Sequence, residues 1–281
     1  MEFTDNPYFY NEINKIINKV NYSAEFKSLV ESYKHAYIGT GNPDSKILII
    51  GKECAIDVDK EKDKFPREIP NNAQDWNRNI RQNTDHNIID NWLSTPNPRY
   101  NPLYPYKGQL FRKRTMTKDG CIKGDGGTSA TWYNYQKLFY MISGRSRTGT
   151  IIFHADCFIT EMNEATGLYS KNVSEKIRRI SIEERNRFLR NRFFQQFPVV
   201  ILACGPYVSD YNINLEEMFN VEFREPTINI GNKWLNVLYR QSESPRILIH
   251  TNQLSIGIGD NLLKEIAREC IDFVEYNNIT L

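Results

Sequence analysis

Glu53 and His250 are the residues best placed to do chemistry, because each ends a short apolar, β-branched run. Lys46-Ile-Leu-Ile-Ile50 leads into Gly51-Lys52-Glu53-Cys54, and Arg246-Ile-Leu-Ile249 leads into His250-Thr-Asn-Gln-Leu-Ser255. Buried parallel strands deliver reactive groups to the carboxyl edge of an α/β sheet in this way. A carboxylate at one tip can position or activate a water, and an imidazole at the other can donate to charge that develops in a reaction. His154, with Asp156 two residues on, closes a third apolar run, Thr150-Ile-Ile-Phe153. No metal-ligand spacing joins it to His35 or His86, so a structural histidine is expected. Gly120-Cys-Ile-Lys-Gly-Asp-Gly-Gly-Thr-Ser129 reads as a surface loop that could alternatively cradle phosphate at a helix start. It lacks the Gly-Lys-Ser/Thr ending of a P-loop.

The elements that must position these groups follow from periodicity. Two amphipathic helices are expected across 8–35, with apolar stripes at Tyr8, Ile13, Ile16, Ile17, Val20 and at Phe26, Leu29, Val30, Tyr33. Four strands are expected at 46–50, 149–153 (extending toward 160), 199–204 and 246–250, alternating with helices. Residues 54–128 carry six prolines, with short helices possible around Trp76 and Trp92. Ser129 starts a helix through Ile142, Ser181-Ile-Glu-Glu184 has capping-box spacing, and 259–275 forms a last amphipathic helix. Residues 220–241 read as an antiparallel hairpin turning at Gly231-Asn232. The expected architecture is a single domain over 1–281: an N-terminal helical extension (1–44) and an α/β core (45–281). The core is expected to be a three-layer α/β/α sandwich on a four-stranded parallel central sheet, with the β-hairpin as an insertion.

The chain has 281 residues, 40% hydrophobic and 25% charged, as in ordinary globular proteins, and its net charge of +2 does not by itself argue for nucleic acid. Basic residues do cluster at Arg112-Lys113-Arg114 and at Arg178, Arg179, Arg185, Arg187, Arg190 and Arg192, either as a phosphate-binding surface or as a solvated helix face interleaved with Glu175, Glu183 and Glu184. No secretory leader and no membrane-spanning run is read, so a cytoplasmic protein without membrane attachment is expected. Five scattered cysteines, Cys54, Cys121, Cys157, Cys204 and Cys270, fit neither a disulfide framework nor a zinc site, and Cys157 and Cys204 read as small buried hydrophobes. Neither a metal nor a cofactor is expected, and oligomeric state is not legible.

His250-Thr-Asn-Gln-Leu-Ser255 resembles the His-Pro-Ser-Pro-Leu-Ser loop of the uracil-DNA glycosylase superfamily, with His, Leu and Ser at matching spacing. Gly51-Lys52-Glu53 is similar to that superfamily's water-activating loop, which has a glycine and an acid, although Lys52 and Cys54 depart from it and its proline is missing. Ile159-Thr-Glu-Met-Asn163 looks like the loop after its second strand. The resemblance spans about residues 44–276. It implies a glycosylase acting on a base flipped from DNA. Glu53 would then activate water and His250 would stabilise the leaving base. Leu254 would be a wedge in the duplex, and Ser255 a phosphate ligand. Gly51, Lys52 and Asn252 would complete the binding loops, and Glu161 or Asn163 would read the base edge. Glu161 stands where an asparagine is expected, so a base other than uracil is implied. The stacking aromatic is left open among Phe65, Tyr100, Tyr104 and Tyr106. Two alternatives remain open: an inactive nucleic-acid-binding protein on the same scaffold, and a hydrolase or transferase acting on a small nucleotide-like ligand.

Overall fold

Short strands that are buried along most of their length form the middle of the molecule. The computed structural model describes residues 19–56, 58–109, 114–117, 120–123, 129–145, 149–167 and 172–281. All of the first expected helical stripe except Val20, the Arg112-Lys113 pair, and residues 124–128 of the glycine-rich run fall outside these residues.

In chain order the principal elements are α1 (Ala24–Ser32), β1 (Thr40–Gly41), β2 (Ile47–Glu53), α2 (Lys64–Glu68), α3 (Asn72–Gln82), β3 (Arg114–Thr117), β4 (Gly120–Lys123), α4 (Ala130–Ser143), β5 (Cys157–Asn163), α5 (Glu175–Leu189), β6 (Val199–Leu202), α6 (Tyr207–Asp210), α7 (Leu215–Phe219), β7 (Glu222–Ile230), β8 (Lys233–Arg240), β9 (Arg246–Thr251) and α8 (Asp260–Tyr276). One sheet has seven strands in the order β1-β5-β2-β6-β9-β8-β7, and β3 and β4 form a separate hairpin. The four central strands of the large sheet, β5, β2, β6 and β9, are parallel to one another, while β1, β8 and β7 pair antiparallel with their neighbours at the edges.

The sheet is therefore larger than the four strands expected. The hairpin β7–β8 is not an appendage, because β8 pairs with β9 along six residues and carries the sheet outward. Its turn does fall at Gly231, with φ +61°, as the Gly-Asn pair predicts. Residues 120–123 form β4 rather than a loop. The expected strand at 149–153 is irregular, and the strand that forms is Cys157–Asn163. Ile151 and Phe153 are fully buried there. The backbone N–H groups of Ile152 and Phe153 donate to the Gln136 side chain instead of a ladder. Helix α5 starts seven residues before the capping-box serine: Ser174 caps it, and the Ser181 hydroxyl accepts from Glu164 and Ala165. Ile159 to Asn163 are strand, not the loop that follows one.

Alternation along the parallel strands divides the core. Even-numbered residues such as Leu48, Ile50, Phe158, Val200 and Leu248 pack with side chains from α1, α3, α5 and α7. Odd-numbered residues such as Ile47, Ile49, Ile159, Ile201 and Ile249 pack with α4 and α8. Helices thus cover both faces, and the functional edge is where β2, β5, β6 and β9 end. Among the described residues no helix is long and apolar enough to cross a membrane.

Candidate active site

The register of β2 against β5 pairs Gly51 with Glu161 and Glu53 with Asn163. Glu53 is held from two sides. The Asn163 Nδ2 donates to its Oε2 at 2.9 Å and the Tyr207 hydroxyl donates to the same atom at 2.5 Å. Asn163 is itself fixed, fully buried, with Oδ1 accepting from the Ala165 amide at 3.0 Å. Tyr207 opens α6 directly after Gly205-Pro206, which follow the end of β6. The Glu53–Tyr207 bond therefore bridges β2 and β6, where crossovers leave the sheet in opposite directions, the usual ligand site of an open α/β sheet. Burial, with the Glu53 carboxylate adding to it, raises the Tyr207 hydroxyl pKa, so it stays a donor. The Lys52 Nζ lies over the same ring, 4.5 Å from its centroid.

Glu53 lines a cavity of about 350 Å³ at this edge. Its walls are aromatic: Tyr37, Tyr100, Tyr106, Trp132 and Tyr135. Acidic and basic groups line it too, namely Glu53, Glu68, Glu161, Lys52 and Lys64. The helix α4 supplies Trp132 and Tyr135, and its start is fixed by the Ser129 hydroxyl accepting from the Trp132 amide. The Tyr106 hydroxyl donates to Glu68, and Arg67 donates to Tyr106 at 3.2 Å. Burial first of all raises the Glu68 carboxyl pKa. Cys54 is in the wall as a thiol, because burial pushes its pKa well above the usual range.

Glu161 lies at the β5 side of this cavity. Its carboxyl group sits on Gly51: a Cβ at that position would fall 2.2 Å from Glu161 Oε2. That oxygen is shielded from solvent and has no hydrogen-bond partner among the described residues. Burial raises the Glu161 carboxyl to about 8, opposed by Arg185 and helped by Glu53.

The second strand tip is arranged differently. His250 is buried, its Nε2 donates to the Gly205 carbonyl at 2.9 Å, and its ring meets Trp234 edge-on at 4.8 Å. It does not line the cavity beside Glu53; Gln253 is the residue of that loop that does. Burial lowers the His250 pKa, leaving a neutral imidazole. Asn252 accepts from the Trp234 amide at 2.9 Å. Leu254 is fully buried in the core under α4 and α8 rather than projecting. The half-buried Ser255 is anchored by its carbonyl, which accepts from Asn134 Nδ2 at 2.8 Å.

No family model matches this chain, and no curated protein sequence does.

Of the candidate stacking residues, Tyr100 and Tyr106 line the cavity. Phe65 packs in a small cluster with Tyr37, Ile56 and Ile69, and the Tyr104 hydroxyl donates to the Ile151 carbonyl. Tyr207, Trp132, Tyr135, Glu68 and Gln253 are not among the site residues the sequence points to; Gln253 has a signal in its loop and Tyr207 in its place just past a strand tip. His154 is buried between Phe153 and Trp132, with neither ring nitrogen bonded among the described residues, and Asp156 turns away to Arg145 at 2.8 Å. Among the described residues no group of three or more His, Cys, Asp or Glu side chains could hold a metal ion. The basic face of α5 is largely paired: Arg178 and Arg179 with Glu175, and Arg190 with Glu217. Arg185 is not on that face at all. It is buried, donating to the Glu161 and Tyr37 carbonyls and to the Thr160 hydroxyl.

Proposed function

We propose that the chain is an N-glycosyl hydrolase acting on a base held in the aromatic cavity, with Glu53 as the carboxylate that activates water. The observation that carries this reading is the fixing of Glu53 Oε2 by Asn163 and Tyr207 at the wall of a cavity large enough for one planar ring system. A carboxylate held by two donors is preorganised to orient a water and to face the positive charge that develops on a sugar as its base leaves. Aromatic walls suit a stacked base. The resemblance of Gly51-Lys52-Glu53 and His250–Ser255 to the loops of uracil-DNA glycosylases supports the same chemistry. So does the order of the four parallel strands, second-first-third-fourth along the chain, with the site at their carboxyl ends. The proposed fold is accordingly a three-layer, uracil-DNA glycosylase-like sandwich whose sheet is extended at both edges.

Two placements favour a second reading, hydrolysis of a small nucleoside-like substrate rather than of duplex DNA. Leu254 is not exposed to act as a wedge, and His250 is spent on a backbone carbonyl. Duplexes carrying uracil, hypoxanthine or adducted bases, and the corresponding free nucleosides, separate the two readings by which class releases base. Glu53→Gln is expected to lower release at least about a hundredfold. Absence of release from every substrate, or release indifferent to Glu53→Gln, overturns the hydrolase reading.

A further inference from the structure

We infer that Glu161 is the group that reads the base, and that this cavity takes a base with an amidine edge, a ring nitrogen beside an exocyclic amino group, as in adenine and cytosine. This rests on the reading that the cavity holds a base.

The geometry begins with Gly51. Only a residue without a Cβ lets the Glu161 carboxyl lie against β2 at the cavity's inner edge. Once there, the carboxyl has a single weak protein partner among the described residues. Oε2 has none among the described residues, and Oε1 has only the Cys54 sulfur at 4.0 Å. The adjacent Arg185 does not reach it, because its donors go to two backbone carbonyls and the Thr160 hydroxyl. A buried polar group with no partner costs folding free energy, and a ligand that supplies the missing bonds is the physical explanation for keeping it.

The chemistry of the edge follows from counting donors and acceptors. A carboxyl group that carries a proton offers one O–H and one carbonyl oxygen; one that has lost it offers two acceptors. An amidine edge matches the carboxyl that carries its proton: the ring nitrogen accepts from O–H, or takes the proton and donates it back, while the amino group donates to the other oxygen. A lactam edge, as in uracil, can pair with that form too, but its carbonyl oxygen is too weak a base to take the proton, so only the amidine pair becomes charge-assisted. Glu53 on β2 and Glu68 on α2 are acidic, Lys52 and Lys64 are basic, and Tyr37, Tyr135 and Cys54 are neutral around the carboxyl. Cys204 beyond β6 is likewise a thiol, held up to about 12 by burial. Raised to about 8, the Glu161 carboxyl carries its proton at neutral pH.

The same proton assists bond cleavage. Water forms a bond to the anomeric carbon and its proton passes to Glu53. The electron pair of the broken C–N bond goes to the base, and the Glu161 proton goes to the base's ring nitrogen, so the base leaves neutral. Return of the proton from Glu53 to Glu161 through solvent completes the cycle, with one water consumed.

Calorimetric titration of the full chain with 9-methyladenine, 1-methylcytosine and 1-methyluracil tests this without requiring turnover. Near neutral pH at least one amidine base is expected to bind about tenfold or more tighter than 1-methyluracil. That preference is expected to vanish in Glu161→Leu. Wild-type affinity for the amidine base is expected to fall as pH rises through about 8, and to be flat with pH in Glu161→Gln, which keeps one donor and one acceptor but cannot ionise. If Glu161→Leu does not fold, the wild-type and Glu161→Gln profiles decide alone. Binding of 1-methyluracil as tightly as both amidine bases, no binding of either amidine base, or the same pH profile in wild type and Glu161→Gln overturns the inference. Amidine binding without base release from any substrate overturns the hydrolase reading alone.

Discussion

Gly51 and Glu161 are partners across the β2–β5 pair, and the Glu161 carboxyl occupies the space that a side chain on residue 51 would need. Gly51→Ala places a Cβ 2.2 Å from Oε2 and 2.9 Å from Cδ, so the carboxyl must move. The expected cost is about 1–3 kcal/mol of stability. Because the clash is with one side chain, Gly51→Ala in a Glu161→Ala background should cost less by about 0.5 kcal/mol or more, read from a double-mutant cycle by urea denaturation. Additive costs would mean that the glycine serves the backbone instead.

Glu161 also shapes the pH dependence of stability. Its folded pKa, about 8, lies above the ordinary 4.5, so between those values the native state holds a proton that the unfolded chain has released. Stability from this group is complete below about pH 4.5 and declines by up to roughly 1.4 kcal/mol per pH unit until the carboxyl ionises in the fold near pH 8. Glu161→Gln removes the decline. The mutant's unfolding midpoint, compared with wild type at several pH values in that window, should gain steadily as pH rises.

His154 works in the opposite sense. Burial depresses its pKa to about 3 from 6.5, with the neighbouring His86, itself lowered to about 4, adding slightly. The unfolded chain takes up a proton that the buried ring refuses, so stability falls as pH drops from about 6.5 toward 3. His154→Phe keeps a ring stacked on Phe153 and beside Trp132. It should unfold less readily than wild type at about pH 4.5 and differ less near neutrality, as thermal melts at the two pH values would show.

The strands that frame the site were legible because they are buried on both sides and so read as unbroken apolar runs: β2, β6 and β9 fall where Ile47–Ile50, Val199–Leu202 and Arg246–Ile249 predict them. Amphipathic α8 and the Gly231 turn were legible from local pattern in the same way. What was not legible depends on distant partners. Gln136 serves the amides of Ile152 and Phe153 and turns an apolar run away from strand, and Ser181 serves a loop rather than a helix start. The cavity is less legible still. Tyr37, Tyr100 and Trp132 come from three separate segments, and nothing local marks them as neighbours of Glu53.

Arg246 illustrates a polar residue at a strand start that does structural work. It is fully buried, and its guanidinium donates to the carbonyls of Phe197, Gln195 and Phe219 and to the Gln195 side chain. Burial lowers its pKa to about 10, still protonated at neutral pH. Arg246→Met leaves those carbonyls without their donor and should cost about 3 kcal/mol or more, measured by denaturant midpoint, with base release at saturating substrate unchanged under conditions where the variant is folded.

His250 separates a structural from a chemical role at the second strand tip. Its Nε2–H bond to the Gly205 carbonyl joins the end of β9 to the turn after β6, the turn that leads two residues later to Tyr207 and hence to Glu53. Losing that bond and the Trp234 contact should destabilise by about 1–3 kcal/mol. Loss of the imidazole should reach the chemistry only through the position of Tyr207. His250→Gln, whose amide can still donate to the carbonyl, should therefore keep most of the base release that Glu53→Gln abolishes, while His250→Ala should lose stability first. Single-turnover release rates measured beside the unfolding midpoint of each variant decide this. If His250→Gln is folded as well as wild type yet releases base as slowly as Glu53→Gln, the imidazole acts on the departing base directly, and a rearrangement on substrate binding must free it from Gly205.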